Sequence, residues 1–123
     1  MKVRRVFHHD ALSIEPWATL RAAAKEMHEG GFSCLPVVSG GELLGIITER
    51  DLVEAMAADE RPEASTVFSH MSEAPETVGP DDECSDAVAR MLSLGCRHLP
   101  QMEGDKMVGI VSARDLLPLA AAA

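Results

Sequence analysis

Gly45-Ile46-Ile47-Thr48-Glu49-Arg50-Asp51 and Gly109-Ile110-Val111-Ser112-Ala113-Arg114-Asp115 are one segment written twice, 64 residues apart (109 − 45 = 64). The same offset carries Pro16 onto Pro80, Met27 onto Met91, Gly31 onto Gly95 and Pro36 onto Pro100. It needs no insertion between residues 11 and 53. One register held across so many glycines and prolines marks an internal duplication. The fold is therefore to be read as two copies of one unit.

Working outward from the segment, each copy reads alike. A short extended stretch comes first, Leu12-Ser13-Ile14 or Glu76-Thr77-Val78, closed by Pro16 or Pro80. A helix follows, with Leu20, Ala23, Ala24 and Met27 at helical spacing and Gly30-Gly31 stopping it. Its mate carries Cys84, Ala87, Val88 and Met91, stops at Gly95, and places Asp81, Asp82 and Glu83 at the start, where the helix dipole favours acid. Next come hairpins: Cys34–Val38 with Leu43–Ile47, and His98–Met102 with Met107–Val111, turning at Ser39–Glu42 and Glu103–Lys106. A proline inside the first strand of each hairpin predicts an edge or a strand start. A last helix opens near Thr48 or Ser112 and carries Leu52, Val53 and Met56, or Leu116 and Leu117, with Pro118 expected to shorten the second. Each unit is β-α-β-β-α, and the class is α+β. The repeats are residues 3–58 and 67–120, joined by a charged, proline-broken linker at 59–66. A unit of this size buries too little surface to stand alone, so the copies are expected to pack together about a pseudo-two-fold axis.

Composition narrows the function. Hydrophobic residues make up 46% of the chain, enough for a core, and aromatics are confined to Phe7, Trp17, Phe32 and Phe68, so that core must be aliphatic. A formal net charge of −9 repels phosphate backbones and anionic lipid, which argues against nucleic acid and membrane surfaces as partners. No apolar run reaches the length of a membrane span. Met1-Lys2-Val3-Arg4-Arg5-Val6-Phe7 is basic but no apolar stretch follows, so it does not read as a signal peptide. Three cysteines, Cys34, Cys84 and Cys96, without C-x-x-C spacing point to a reducing, cytoplasmic setting. Cys96-x-His98 has no second pair to complete a zinc site, so no metal is expected.

The duplicated segment has two compatible readings. Thr48-x-x-Asp51 and Ser112-x-x-Asp115 are capping boxes in outline, and such a cap stabilises its helix by ~1 kcal/mol with no ligand involved. Three features add a ligand to that reading. Asp stands in both copies where Glu or Gln would serve a capping box better. Gly45 and Gly109 sit in strands, where glycine weakens pairing unless something approaches the backbone closely. Arg50 and Arg114 set a cation beside a helix N-terminus, a place suited to phosphate. A carboxylate there can accept hydrogen bonds from both hydroxyls of a ribose.

The duplicated β-α-β-β-α units, the paired Leu-Pro strands and the paired G-h-h-[ST]-x-R-D segments closely resemble tandem cystathionine β-synthase (CBS) domains, the Bateman module, over roughly residues 3–120. The resemblance implies a regulatory module whose cleft between repeats holds adenosyl compounds in up to two sites. It implies that Asp51 and Asp115 hold ribose hydroxyls and that Thr48 and Ser112 contact ribose or phosphate, beside Arg50 and Arg114. Residues before the Leu-Pro pair contact phosphate in that family; here they are Arg97 and His98, against Ser33 and Cys34 in the first copy. Ser13-Ile14, Thr77-Val78, Leu35-Pro36-Val37 and Leu99-Pro100-Gln101 would line the adenine pockets. The family's frequent Asp-Val-Met-Thr opening is replaced by Arg5-Val6-Phe7-His8 and Ser69-His70-Met71-Ser72.

The expected ligand is AMP, ADP or ATP, with S-adenosylmethionine or NAD as further adenosyl candidates, and no resident cofactor. A homodimer and a regulated protein partner are implied as well. A dimerisation scaffold that binds nothing tightly is the alternative. An enzyme is not expected, since no activated nucleophile, metal cluster or partnered general base accompanies Asp51 and Asp115. Cys34 and Cys96 read as buried small hydrophobes rather than reactive thiols, and Met27 and Met91 as packing. His8-His9 reads as a solvated strand edge. Trp17, whose repeat mate is Asp81, either covers a pocket or caps the core, and the core is the favoured place.

Overall fold

The computed structural model describes residues 2–3, 13–73 and 76–121. Its elements run α1 (Leu20–Gly30), β1 (Cys34–Ser39), β2 (Glu42–Thr48), α2 (Glu49–Ala57), β3 (Ser72–Glu73), α3 (Cys84–Leu94), β4 (His98–Glu103), β5 (Lys106–Ser112) and α4 (Ala113–Ala121). With Ile14 and Val78 bridging to the hairpins ahead of α1 and α3, the β-α-β-β-α order appears twice.

Each helix begins and ends for a local reason. The Thr19 hydroxyl accepts from the Ala22 N–H at 3.1 Å, and the carbonyls of Ser65 and Pro62 take the N–H groups of Leu20 and Arg21, both at 3.0 Å. The linker thus satisfies donors that the first turn of α1 leaves open. Gly31 and Gly95 end α1 and α3 in the left-handed region, at φ 72° and 70°, which a side chain would disfavour. Leu20, Ala23 and Met27 are buried as the pattern required, but Ala24 is exposed: it falls on the flank of the stripe. In α3 all four expected residues, Cys84, Ala87, Val88 and Met91, are buried. Asp81, Asp82 and Glu83 lie at the start of this helix, Glu83 as its N-cap, and Asp86 is the acidic residue of its first turn. Pro118 lies inside α4 without shortening it, for α4 and α2 both have nine residues. A proline six residues in omits one backbone bond while its neighbours complete theirs.

The strands form a three-stranded antiparallel sheet, β1-β2-β3, and a two-stranded antiparallel sheet, β4-β5. Both hairpins slip register at the same place, between Val37 and Val38 and between Gln101 and Met102, leaving Leu44 and Val108 as the extra residues. Ile14 pairs in parallel with Val37, and Val78 with Gln101. Pro36 and Pro100 accept from Ile14 and Val78 through their carbonyls and have no N–H to lengthen that ladder, so the predicted edge positions stand.

Two compact units result: Ser13–Pro75, and Glu76–Ala123 with Met1–Leu12. They exchange opening segments relative to the sequence repeats. Val67 to Glu73 lie in the first unit, with β3 pairing Gly45 and Ile46, while Lys2 bridges to Glu83 and the Val3 N–H donates to Asp82 O at 2.9 Å in the second. Both cores are aliphatic. Leu20, Leu35, Val37, Ile47 and Val67 are fully buried in the first unit, and Val3, Val78, Met91, Leu99, Val111 and Leu116 in the second. Trp17 is not part of a core: it is 62% exposed, and Phe68 beside it is 56% exposed. The Phe68 N–H donates to Pro16 O at 2.8 Å, tying the two aromatic-bearing turns together at the surface while Leu20 and Val67 fill the interior.

Gly45 explains itself differently from the sequence argument. A Cβ there would collide with the Ser72 carbonyl and with Met71 Sδ, so the close approach to this strand is made by β3 of the same unit. The opening Arg5-Val6-Phe7-His8, the His8-His9 pair and Leu12 lie outside the described residues.

Candidate ligand-binding site

The duplicated segments place their polar residues at the N-termini of α2 and α4. At α2 the capping box is complete: the Asp51 N–H donates to Thr48 Oγ1 at 3.1 Å, and the Thr48 N–H donates to Asp51 Oδ2 at 2.8 Å. At α4 the Asp115 N–H donates to Ser112 Oγ, again at 3.1 Å. The capping reading therefore holds in full at Thr48-Asp51. Asp51 and Asp115 are half-buried, whereas Arg50 and Arg114 are exposed beside them.

Backbone bonds bring the residues before each Leu-Pro pair to these helix starts. The Glu49 N–H donates to Ser33 O at 2.9 Å, and its mate, the Ala113 N–H, donates to Arg97 O at 2.7 Å. In register, Cys34 lies opposite Thr48 and His98 opposite Ser112. Arg97 is exposed and His98 half-buried, so the second unit sets a guanidinium and an imidazole where the first sets buried Ser33 and Cys34. A guanidinium fork suits phosphate oxygens.

At the other end of the same strands the extended segments dock. Ile14 exchanges backbone bonds with Pro36 O and the Val38 N–H, both at 2.9 Å; Val78 does so with Pro100 O at 2.9 Å and the Met102 N–H at 2.8 Å. Ser13-Ile14 is thereby joined to Leu35-Pro36-Val37, and Thr77-Val78 to Leu99-Pro100-Gln101. Leu35, Val37, Val78 and Leu99 are fully buried. Gln101 is the odd member. It is only 4% exposed, holds the position of Val37, and its Oε1 has no hydrogen-bond partner among the described residues.

A cluster that the sequence reading did not single out adjoins the second segment. Arg90 Nη1 donates to Thr77 O at 2.6 Å and to Asp82 Oδ2 at 3.0 Å, and the same Asp82 oxygen accepts from the Gly79 N–H at 2.8 Å. The Gly79 N–H, aided by the Arg90 guanidinium, holds the Asp82 carboxyl below its ordinary value against the opposing effect of burial. The available signal was a charge difference between mates: Arg90 corresponds to Glu26 (90 − 64 = 26), a reversal, and Asp82 to the neutral Ala18 (82 − 64 = 18).

All three cysteines are buried and outside any disulfide, and burial pushes the Cys84 thiol up, which fits packing rather than reactivity. Among the described residues no cluster of three or more His, Cys, Asp or Glu could hold a metal ion, and no helix is long and apolar enough to cross a membrane.

Comparison with known proteins agrees with this architecture. The CBS domain family matches residues 3–58 and 64–121. An uncharacterized 17.7 kDa protein of Acidianus ambivalens is 40% identical over 117 residues, covering 94% of this chain and 70% of that one. The matches to two further relatives span 61% and 65% of those relatives' lengths. In fold, the chain is similar to a CBS domain protein from Pyrobaculum aerophilum complexed with AMP (TM-score 0.83, 20% identity, 100% of both chains). It is similar also to the CBS domain pair of protein MJ0100 in complex with 5-methylthioadenosine and S-adenosyl-L-methionine (TM-score 0.82, 22% identity, 99% of this chain and 97% of that one).

Proposed function

The chain belongs to the CBS domain family, and from that premise we propose that it is a non-catalytic, cytoplasmic regulatory module that binds an adenosyl compound through its two duplicated segments. The observation that carries this reading is the division of labour at Asp51. One carboxylate oxygen, Oδ2, is occupied by the helix cap, while Oδ1 has no hydrogen-bond donor among the described residues. Capping thus holds the carboxylate in place and leaves acceptor capacity for a ribose hydroxyl. Asp115 takes the same role in the second copy, Thr48 and Ser112 meet ribose or phosphate, and Arg97 and His98, with Arg50 and Arg114 nearby, receive phosphate. The segments Ser13-Ile14 with Leu35-Pro36-Val37, and Thr77-Val78 with Leu99-Pro100-Gln101, are the candidate lining for adenine. Solved relatives of the same fold hold AMP, 5-methylthioadenosine and S-adenosyl-L-methionine, which supports the ligand class. A thermal-shift panel of AMP, ADP, ATP, S-adenosylmethionine and NAD tests it. A ligand present at a hundred times its dissociation constant adds ~2.7 kcal/mol of apparent stability. No shift with any of the five would favour the second reading, a scaffold whose self-sufficient Thr48-Asp51 cap needs no ligand.

The module is further proposed to work as a homodimer that signals to a regulated protein. Val53 and Met56 on α2, Leu92 on α3 and Leu117 on α4 are 66%, 44%, 78% and 52% exposed, apolar surface suited to a second copy. Sedimentation at micromolar concentration is expected to give twice the chain mass; a monomer would count against the dimer.

A further inference from the structure

The two extended segments are not held equally. We infer that Arg90 is a positioning residue, fixing Thr77-Val78 so that the adenosyl site lined by this segment is preformed while the one lined by Ser13-Ile14 is not. The inference rests on the adenosyl-binding reading above.

Val78 already spends its N–H and carbonyl on Pro100 and Met102, as Ile14 does on Pro36 and Val38. What differs is the residues on either side. Arg90 grips the Thr77 carbonyl from α3, and its Asp82 partner grips the Gly79 N–H, so the backbone is fastened immediately before and after Val78. One guanidinium nitrogen bridges the two grips. Ion pairing with the same oxygen of Asp82, which precedes α3, keeps the Arg90 guanidinium in place. In the first unit the mate of Arg90 is Glu26, which is exposed and has no N–H to offer the Ser13 carbonyl. The mate of Asp82 is Ala18, which cannot receive the Glu15 N–H. The remaining turn is common to both units, with the Ala18 N–H on Glu15 O and the Asp82 N–H on Gly79 O. The asymmetry is therefore confined to the side-chain clamp. A segment fixed before the ligand arrives loses less conformational freedom on binding, and that difference appears as affinity.

Three forms of the full chain decide the matter in calorimetric titrations with AMP, run beside thermal melts. Wild type is expected to show one tight and one weak phase. Arg90→Met should weaken the tight phase at least tenfold and leave the weak phase unchanged, with Arg90→Lys recovering part of the loss. The double substitution Ala18→Asp with Glu26→Arg, which transplants the clamp, should tighten the weak phase. Absence of any AMP binding by wild type overturns the adenosyl reading and this inference together. With binding intact, the inference alone fails if Arg90→Met titrates like wild type. It fails equally if both phases weaken together in step with a lowered melting temperature, or if the transplanted clamp leaves the weak phase where it was.

Discussion

Alanine at both Asp51 and Asp115 is expected to lower the affinity for AMP at least tenfold at each site while the chain stays folded. The cap geometry separates the two effects. In each variant the backbone N–H of residue 51 or 115 still reaches Thr48 Oγ1 or Ser112 Oγ, so half of each cap survives. The lost half, seen at the Thr48 N–H, costs about 1 kcal/mol of stability or less. The ligand loses a hydrogen bond to a charged acceptor, worth roughly 1.5–3 kcal/mol. At ~1.4 kcal/mol per factor of ten, that is a tenfold to hundredfold loss. Calorimetry on the two single variants and the double variant reads it directly. Unchanged affinity in all three would mean that the aspartates only cap their helices.

The second large effect is on stability. Gln101→Met is expected to stabilise the chain by roughly 1–3 kcal/mol, the cost of keeping a buried polar atom without a partner. Gln101 is 4% exposed and its Oε1 lacks a donor among the described residues, whereas Val37, its mate, is an apolar residue at 0% exposure. Methionine keeps the length of the side chain and removes both polar atoms, so no cavity opens. The reciprocal change, Val37→Gln, should destabilise by a similar amount, because it buries a carboxamide where the first unit provides for none. Denaturant melts of the pair check both signs. A loss of stability in Gln101→Met would show that the amide contributes a favourable interaction at that position.

Most of the fold was legible because the duplication supplied two readings of every element. The hairpins agreed between copies, and the glycine stops at Gly31 and Gly95 are determined within a few residues of chain. What local pattern could not reveal was long-range contact. Gly45 looked like room for a ligand, yet it is Ser72, 27 residues further on (72 − 45 = 27), that needs the space. In sequence Trp17 is favoured for the core, but it is exposed, next to Pro16, whose carbonyl accepts from the Phe68 N–H. Pro118 carried a helix-ending signal that α4 absorbs. The Arg90 cluster showed in the sequence only as a difference between mates, for a related reason: Thr77, Gly79, Asp82 and Arg90 follow no motif spacing, and only folding α3 back brings the guanidinium to the Thr77 carbonyl. Among the candidate ligand residues, Thr48, Arg50, Asp51, Ser112, Arg114 and Asp115 stand in the repeated segment itself, where helix caps place Thr48, Asp51, Ser112 and Asp115 locally; the others rest on the family resemblance.

The central claim is that this duplicated chain holds an adenosyl ligand, and titration of AMP into the purified wild-type chain, followed by calorimetry, tests it most directly. Saturable heat is expected, with affinity at each site weakened at least tenfold when its aspartate is replaced. A folded chain that gives no saturable heat with AMP, and none with ATP or S-adenosylmethionine, would contradict it.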